Sequence, residues 1–191
     1  MMEIVTILLI YLIHLLIAIV LSPKHDYVID SGKSDVLILN IARAGLALSP
    51  LLLFIKKFNL NLSSEYAEYL YYSGLVLFFV SITIHLAARF SLKTNFYPSA
   101  VIANHHVLIS NGIYKWIRHP IYLSHILTWL SVTLISLNWG YSIFVSLFVL
   151  RMIIRIPVEE KLLVTKFGSQ YIEYKKKAGC LLPKLNFKNS K

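Results

Sequence analysis

Long, predominantly apolar segments constrain this chain more than any other feature of its sequence. The first of them, residues 4–21, runs for 18 residues without a formally charged side chain. A helix needs about 20 mainly apolar residues to cross the hydrocarbon core of a bilayer. The chain has 57% hydrophobic and only 15% charged residues, whereas soluble domains average roughly 45–50% and about 25%. The composition therefore indicates a membrane protein and argues against a soluble globular domain.

Five segments have the length and composition of membrane spans: residues 4–21, 36–54, 70–88, 121–137 and 141–156. The sequence therefore predicts an all-α integral membrane protein with five transmembrane helices. Only Asn138-Trp139-Gly140 separates the last two spans, so these are predicted to form a tight helical hairpin. We expect a single membrane domain in which residues 1–88 hold three helices and residues 89–191 hold a loop, the hairpin and a tail.

The tail, residues 158–177, has the pattern of an amphipathic helix. One stripe is apolar and aromatic, the opposite face is rich in lysine, and Gly168 is a predicted break. The stripe consists of Leu163, Phe167, Tyr171 and Tyr174. We expect this helix to lie on the cytoplasmic surface of the membrane or to fold over a bound cofactor.

The basic residues predict the orientation of the chain. Lys and Arg number 19 against 9 Asp and Glu, which gives a formal charge of +10. With five spans, sixteen of the basic residues fall on one face and two on the other. Cytoplasmic loops carry the excess of Lys and Arg, so the tail and third loop are predicted to be cytoplasmic and the N-terminus outside. Topology accounts for the charge, and no nucleic-acid partner is expected.

The third loop, residues 90–120, carries the first motif. It contains aromatic and histidine side chains rather than the Gly, Ser and Pro of a flexible linker, and loops of this length are usually functional or disordered. Asn111-Gly112 is a turn signal, and Pro120 suits the first turn of the following helix. The motif consists of His106, Gly112, Tyr114, Arg118-His119-Pro120 and Tyr122.

The second motif begins at the end of the fifth span, with Arg155 followed by Glu159-Glu160. Pro157 cannot donate a backbone hydrogen bond, so the helix is predicted to kink or end there. Two successive residues of a helix point in directions about 100° apart, so the two glutamates cannot both face one ligand atom. We expect one to bind a ligand and the other to pair with Arg118 or Arg155.

These two blocks resemble the isoprenylcysteine carboxyl methyltransferase family and the related membrane phospholipid methyltransferases. The second block continues with Phe167-Gly168, Tyr171, Tyr174 and Pro183. The resemblance covers residues 104–185 and is specific for the superfamily rather than for one substrate. It implies a methyl transfer from S-adenosylmethionine to a lipophilic acceptor that enters from the bilayer, and most directly carboxyl O-methylation of an isoprenylcysteine-like substrate.

The resemblance also assigns roles to residues. Arg155 and Glu159 would be catalytic, and Arg155 would orient the acceptor carboxylate. Arg43 lies outside the resemblance; as a charge inside the second span it is expected to face either the substrate or a structural partner. The cofactor would be held by His106, Val107, Leu108, Gly112, Tyr114, Arg118, His119, Pro120, Tyr122, Glu159 and Glu160.

Three alternatives remain open at this point. The acceptor could be a phospholipid, an amine or a thiol. The Arg-His-Pro-x-Tyr block also occurs in NADPH-dependent membrane sterol reductases, although Glu159-Glu160 and Tyr171 favour the methyltransferases. A non-catalytic membrane scaffold is the third.

The remaining histidines are interpreted as structural. No Cys or carboxylate stands at ligand spacing from His105-His106, so no metal site is expected. His14 and His125 are isolated in apolar spans and are predicted to be packed, hydrogen-bonded side chains. Arg89, four residues after His85, is predicted to extend toward the membrane interface.

Overall fold

The computed structural model describes residues 2–20, 51, 55, 59–93 and 107–184. Almost all of the second predicted span, including Arg43, lies outside these residues, as does His106 of the first motif. Within the described part the architecture is all-helical, and its β structure is limited to two isolated bridges, Asn59 with Asn138 and Ile117 with Gly179.

Five α-helices and one short 3₁₀-helix make up the described chain. The α-helices are α1 Met2–Val20, α2 Ser64–Leu92, α3 Pro120–Ser136, α4 Trp139–Phe167 and α5 Ser169–Lys177, and the 3₁₀-helix is Gly112–Lys115. Helices α2 and α4, with 29 residues each, are long and apolar enough to cross a membrane. At 1.5 Å per residue each is about 43 Å long, which exceeds the roughly 30 Å hydrocarbon core.

Helix α4 differs from the sequence prediction at its C-terminal end. The predicted span ended at residue 156, but α4 continues through Pro157 to Phe167. A proline inside a helix removes one backbone hydrogen bond, and membrane helices tolerate this because neighbouring groups satisfy the freed carbonyl. The first part of the predicted tail helix is therefore a continuation of α4, and Gly168, with φ +53°, separates it from α5.

The core lies where α1 to α4 meet. Its buried members are Ile7, Ile10, Phe78, Trp129, Val132, Ile135, Tyr141 and Val145. Because lipid tails are as apolar as these side chains, their burial does not by itself hold membrane helices together, and close packing and interhelical hydrogen bonds contribute more.

Helices α2 and α3 approach each other most closely at Gly74. A β-carbon added there would lie 2.7 Å from Ile135 Cγ1 and 3.0 Å from the Ser131 carbonyl oxygen. Further along the same interface, the buried Ser81 hydroxyl donates to the Ser124 carbonyl at 2.8 Å. Small residues that allow helices to approach, with hydroxyls that hydrogen-bond across the contact, are typical of helix packing in membranes.

The turn between α3 and α4 is shorter than the sequence predicted. Helix α3 ends at Ser136, Leu137 adopts a left-handed conformation with φ +48°, and Asn138 caps α4. The Asn138 side chain accepts a 2.9 Å hydrogen bond from the Tyr141 amide, so a residue predicted to be in the turn specifies the start of the helix.

Replacing Gly74 by alanine is expected to destabilise the α2–α3 contact. Overpacking of a close contact costs about 1–3 kcal/mol, so the midpoint of thermal unfolding in detergent should fall. Ile135→Ala removes the side-chain atom that the new methyl group meets. The double variant should therefore lose less stability than the sum of the two single changes, because substitutions in contact are not additive. Additive losses would show that the close approach at Gly74 does not limit packing.

Candidate active site

Gly112 of the first motif lies where the third loop packs against the C-terminal end of α2. Gly112 has a φ of +56°, which favours glycine, and a β-carbon at this position would lie 2.3 Å from the Ser91 hydroxyl oxygen. The Tyr114 amide donates to the Asn111 carbonyl at 3.1 Å, so the predicted Asn-Gly turn is present. The backbone conformation therefore favours glycine at 112, and the Ser91 hydroxyl would have to rotate to admit a β-carbon.

The loop then pairs with the chain after α5. The Arg118 amide donates to the Gly179 carbonyl at 2.8 Å, and the His119 amide donates to the Cys180 carbonyl at 3.0 Å. In the opposite direction the Gly179 amide donates to the Trp116 carbonyl at 2.9 Å. Pro120 occupies the first turn of α3, so the residues before it are non-helical and free to form this pairing. We call the paired segments 116–119 and 178–180 the loop–tail junction.

The Glu160 carboxylate lies at the centre of the junction. Its Oε1 accepts from Arg118 Nε at 2.8 Å, lies 2.7 Å from Arg118 Nη2, and is 3.3 Å from His119 Nε2. Its Oε2 is 2.6 Å from Lys175 Nζ. The side chains of Glu160, Arg118 and His119 are respectively 11%, 8% and 3% exposed. Glu160 thus binds two elements that are distant in sequence, the third loop and α5.

Arg118 also donates hydrogen bonds to backbone carbonyls of the tail. Its Nη1 donates to the Ala178 carbonyl and, at 3.5 Å, to the Lys175 carbonyl. Burial would lower the pKa of Arg118, but the hydrogen bond and the charge of Glu160 outweigh it and raise that pKa. The guanidinium is therefore a permanent cation with both a side-chain and backbone partners, a geometry suited to arginine because its donors form a rigid planar fork.

The adjacent glutamate points to a different partner. Glu159 is half-buried, and its Oε2 accepts a 2.7 Å hydrogen bond from the Tyr122 hydroxyl. The Tyr122 ring lies edge-on to His119, with 5.6 Å between the ring centroids. The structure therefore confirms that the two glutamates diverge, and it identifies Glu160 as the one that pairs with Arg118.

Arg155 lies one helical turn before Glu159 on α4 and is half-buried. Its charge reaches the Tyr122 hydroxyl, which places it on the same side of the helix as the Glu159–Tyr122 pair. Among the described residues it has neither a hydrogen bond nor an ion pair. An arginine held in this way is available to an anionic group that is not part of the described chain.

An apolar cluster supports the junction from the tail side. The buried Tyr171, Tyr174 and Ala178 pack with Leu108, Leu163, Val164 and Phe167. The whole aromatic stripe predicted for the tail belongs to this cluster. The Tyr174 hydroxyl donates to the Tyr114 carbonyl at 2.7 Å, which ties α5 to the 3₁₀-helix. The Tyr171 hydroxyl is buried and has no hydrogen-bond partner in the described part of the chain.

The structure brings together most of the site residues predicted from sequence. Arg118, His119 and Tyr122 from the first motif contact Glu159 or Glu160 from the second. Tyr114 is tied to Tyr174, Pro120 begins α3, and Leu108 packs against the tail cluster. Val107 is 58% exposed at the edge of the described loop. His106 and Arg43 lie outside the described residues and stay predictions.

Sequence reasoning missed three residues that shape the site. Lys175 was counted with the lysine-rich face opposite the tail stripe, but it pairs with Glu160. Gly179 pairs with the loop, and its only sequence signal is its place before Cys180 and Pro183. Arg89, predicted to extend to the interface, is instead buried at 7% exposure, and its charge acts on the buried Tyr114.

Cys180 lies in the junction but is not activated. It is a free, half-buried thiol, and burial raises the pKa of its side chain above the ordinary value. A thiol in this state is mainly protonated at neutral pH and is a poor nucleophile.

Replacing Gly179 by alanine is expected to open the loop–tail junction. A β-carbon there would lie 1.7 Å from the Leu182 carbonyl oxygen, so the backbone of the tail must move. Gly168→Ala is the matched control, because no atom lies within 4 Å of its β-carbon position and only its positive φ disfavours alanine. Limited proteolysis should cut the tail after α5 faster in the Gly179 variant than in the control. Equal rates would mean that the junction does not depend on this contact.

Comparison with known proteins extends these observations. Residues 74–165 match the isoprenylcysteine carboxyl methyltransferase (ICMT) family. The protein-S-isoprenylcysteine O-methyltransferase of Saccharomyces cerevisiae is 42% identical over 80 residues, which are 41% of this chain and 33% of the yeast protein. The human enzyme of that name is 30% identical over 116 residues, 58% of this chain and 40% of its own. Methanethiol S-methyltransferase 1 of Bradyrhizobium diazoefficiens is 31% identical over 71 residues, 37% of this chain and 24% of its own.

A solved structure of the eukaryotic intramembrane Ras methyltransferase ICMT aligns with 92% of this chain and 62% of its own length, with a TM-score of 0.61 and 24% identity. The chain thus shares that membrane fold, while it spans only about a third of the yeast relative and 40% of the human one. The resemblance deduced from the two motifs is confirmed over residues 74–165, which match the isoprenylcysteine carboxyl methyltransferase family, and the described part of this integral membrane protein is all-helical.

Proposed function

We propose that the chain is an S-adenosylmethionine-dependent methyltransferase that acts on a lipophilic acceptor, most directly by carboxyl O-methylation of an isoprenylcysteine-like substrate. The observation that carries this proposal is the division of roles at the second motif. Glu160 closes the loop against the tail, while the neighbouring Glu159 and Arg155 keep polar atoms available. The names of the yeast and human relatives support this choice of reaction.

The residues at the junction suit the polar groups of such a cofactor. S-adenosylmethionine carries an amino acid, a ribose and an adenine, and so needs both acceptors and donors. Within the described part, one Glu159 oxygen accepts no hydrogen bond, and the buried Tyr171 hydroxyl has no partner. A buried polar group without a partner costs about 1–3 kcal/mol, which a bound ligand can recover. The exposed backbone around Gly112 offers a surface that a ligand can approach closely.

To catalyse this methyl transfer, the protein mainly has to orient the acceptor and the cofactor and exclude water. When bound, S-adenosylmethionine supplies an electrophilic methyl group. Arg155 orients the acceptor carboxylate through its planar fork, and an ionised carboxylate is already a nucleophile, so no general base is needed. Glu159 and Tyr122 hold the polar end of the cofactor, and Glu160 keeps the loop and tail closed around it. Proximity and exclusion of water are the main rate-enhancing effects that this arrangement provides.

The helices and the distribution of charge support a specific membrane arrangement. We propose that α1, the segment 36–54, α2, α3 and α4 cross the bilayer, with the N-terminus outside and the junction on the cytoplasmic side. The basic residues of the third loop and tail support this orientation. Lys175 faces Glu160, while Lys176 is exposed beside Glu173 at the surface of α5. The active site would then lie at the interface where a lipidated substrate presents its carboxylate.

Thiol methylation is the second candidate reaction. The Bradyrhizobium relative, named a methanethiol S-methyltransferase, shares 31% identity with this chain. A small thiol would need the same cofactor site but would not need Arg155 as a carboxylate partner. The role of Arg155 therefore separates the two reactions.

Cofactor binding tests the class of enzyme. Purified protein in detergent should show a thermal shift with S-adenosylhomocysteine and none with NADPH. Glu159→Gln should weaken S-adenosylhomocysteine about tenfold or more, because hydrogen bonds to charged groups contribute about 1.5–3 kcal/mol. Glu173→Gln is the matched control, since Glu173 is an exposed carboxylate on α5. A shift with NADPH alone would support a reductase, and no shift with either ligand would contradict an enzymatic role.

The acceptor is tested at Arg155. With a prenylated cysteine as acceptor, Arg155→Gln should raise KM at least tenfold and leave the affinity for S-adenosylhomocysteine within about twofold, because the lost contact is to the carboxylate. Arg151→Gln, one turn earlier on α4, removes a cation whose charge also reaches Tyr122 and should have little effect. Equal losses in both variants would show a general electrostatic effect. Methylation of a small thiol that is unaffected by Arg155→Gln would favour the second reaction.

A further inference from the structure

Three histidines from three different helices meet inside the helical bundle, away from the loop–tail junction. His14 lies on α1, His85 on α2 and His125 on α3, and their ring centroids are 5.2 to 5.6 Å apart. One ring nitrogen of each histidine lies within 4.8 Å of the corresponding nitrogen of the other two. The activity proposed above gives these residues no role.

The arrangement matches the ligand set of a transition metal. Neutral imidazole is the commonest metal ligand in proteins, and three histidines with an open fourth position form a known type of zinc site. Zn–N bonds of about 2.0–2.1 Å in a tetrahedral site place ligand nitrogens roughly 3.3–3.4 Å apart. The distance from His14 Nε2 to His125 Nδ1 is 3.1 Å, so this pair needs almost no movement to share an ion.

A hydrogen-bond chain fixes the tautomer of His85. The Ser124 hydroxyl donates its proton to the Ile121 carbonyl at 2.7 Å. Its 3.0 Å contact with His85 Nδ1 must then be a hydrogen bond that the histidine donates. With the proton on Nδ1, Nε2 keeps its lone pair. Histidines that bind metals almost always donate their other ring N–H in this way, which orients the ring and fixes the tautomer.

His14 is incompletely satisfied by protein groups. Its Nε2 contacts His125, but its Nδ1 is buried without a hydrogen-bond partner in the described part of the chain. Ionisable side chains inside a membrane bundle are costly and usually have a function. A metal ion bound at Nε2 would leave Nδ1 unchanged, so the support for a ligand comes from the convergence of the three rings, which one hydrogen bond between His14 and His125 does not explain.

We propose that His14, His85 and His125 bind one divalent transition-metal ion of the zinc class and thereby join α1 to the α2–α3 pair. The three ligands are neutral, so an anion such as hydroxide or chloride is expected at the fourth position. The charge of Arg89, one turn after His85, acts on the same imidazole. Affinity should therefore be lower than in sites with carboxylate or thiolate ligands.

A second cluster, His119, Glu160 and Cys180, also has its possible ligand atoms within 4.8 Å of one another but is a poor metal site. Both oxygens of Glu160 are already paired with cations, Arg118 and Lys175, and these would repel a metal ion. Burial also raises the pKa of the Cys180 thiol, whereas a metal needs the thiolate. This cluster supplies a control for the experiment.

A titration of the full chain tests the proposal. Protein purified in detergent and stripped with a chelator should bind one equivalent of Zn²⁺, with Mg²⁺ as the negative control. Co²⁺ in place of zinc should give visible absorption bands of a nitrogen-ligated tetrahedral ion without a sulfur-to-metal charge-transfer band. The unaltered chain is sufficient for both measurements, so the proposal does not depend on a variant that folds. Failure to bind Zn²⁺ above the Mg²⁺ background would overturn it.

Variants then locate the ion. His14→Ala and His125→Ala should each weaken Zn²⁺ at least tenfold, and Zn²⁺ should raise the unfolding temperature of the unaltered chain but not of these variants. Ser124→Ala should weaken binding about 10–100-fold, because it removes the group that orients His85. Cys180→Ser is the control and should bind normally, because Cys180 belongs to the second cluster. Loss of binding in Cys180→Ser with retention in His125→Ala would place the metal in the other cluster and contradict the proposal.

Discussion

The arrangement of the candidate active site depends on one carboxylate, that of Glu160. It accepts two contacts from Arg118 and one each from His119 and Lys175, and it is largely withdrawn from solvent. Leaving a buried charge without its partner costs about 3–5 kcal/mol, so each of these groups holds the others in place. The loop–tail junction is thus a consequence of the charge on α4, because the third loop and the short helix α5 both supply donors to the same acceptor.

Two consecutive glutamates can divide the work because helical geometry separates them. Glu160 faces the loop and α5, while Glu159 faces Tyr122 and the side of α4 that carries Arg155. Neither glutamate could replace the other without a rotation of about 100°. The Glu-Glu pair therefore combines a residue that positions the surrounding chain with a residue that keeps one oxygen available to a ligand. A single glutamate at either position would supply only one of these functions.

The residues of the motifs could be predicted from the sequence, but contacts between residues far apart along the chain could not. The residues of the first motif and the two glutamates were found because the two blocks resemble a known family, and the tail stripe was found from its periodicity. Lys175 and Gly179 were missed because their roles depend on how the tail folds back. The end of α4 was misplaced because proline is treated as a terminator, whereas neighbouring groups in a membrane bundle satisfy the freed carbonyl. The histidine cluster was missed because spacing along a chain does not show how three helices are rotated about their axes.

Polar side chains determine how helix α1 is positioned in the bundle. Apolar burial contributes less, because lipid solvates apolar side chains equally well. Its lipid-compatible residues gave no sequence signal, yet Ile7, Ile10, Tyr11 and His14 form one stripe at helical spacing that faces the other helices. The Tyr11 hydroxyl lies 3.0 Å from that of Tyr141, and Thr6 lies 2.9 Å from the Tyr71 hydroxyl. Since lipid solvates leucine as well as a protein core does, these polar contacts fix the rotation and height of α1. That rotation is also what brings His14 to the other two histidines, so the same interactions that dock the helix complete the cluster.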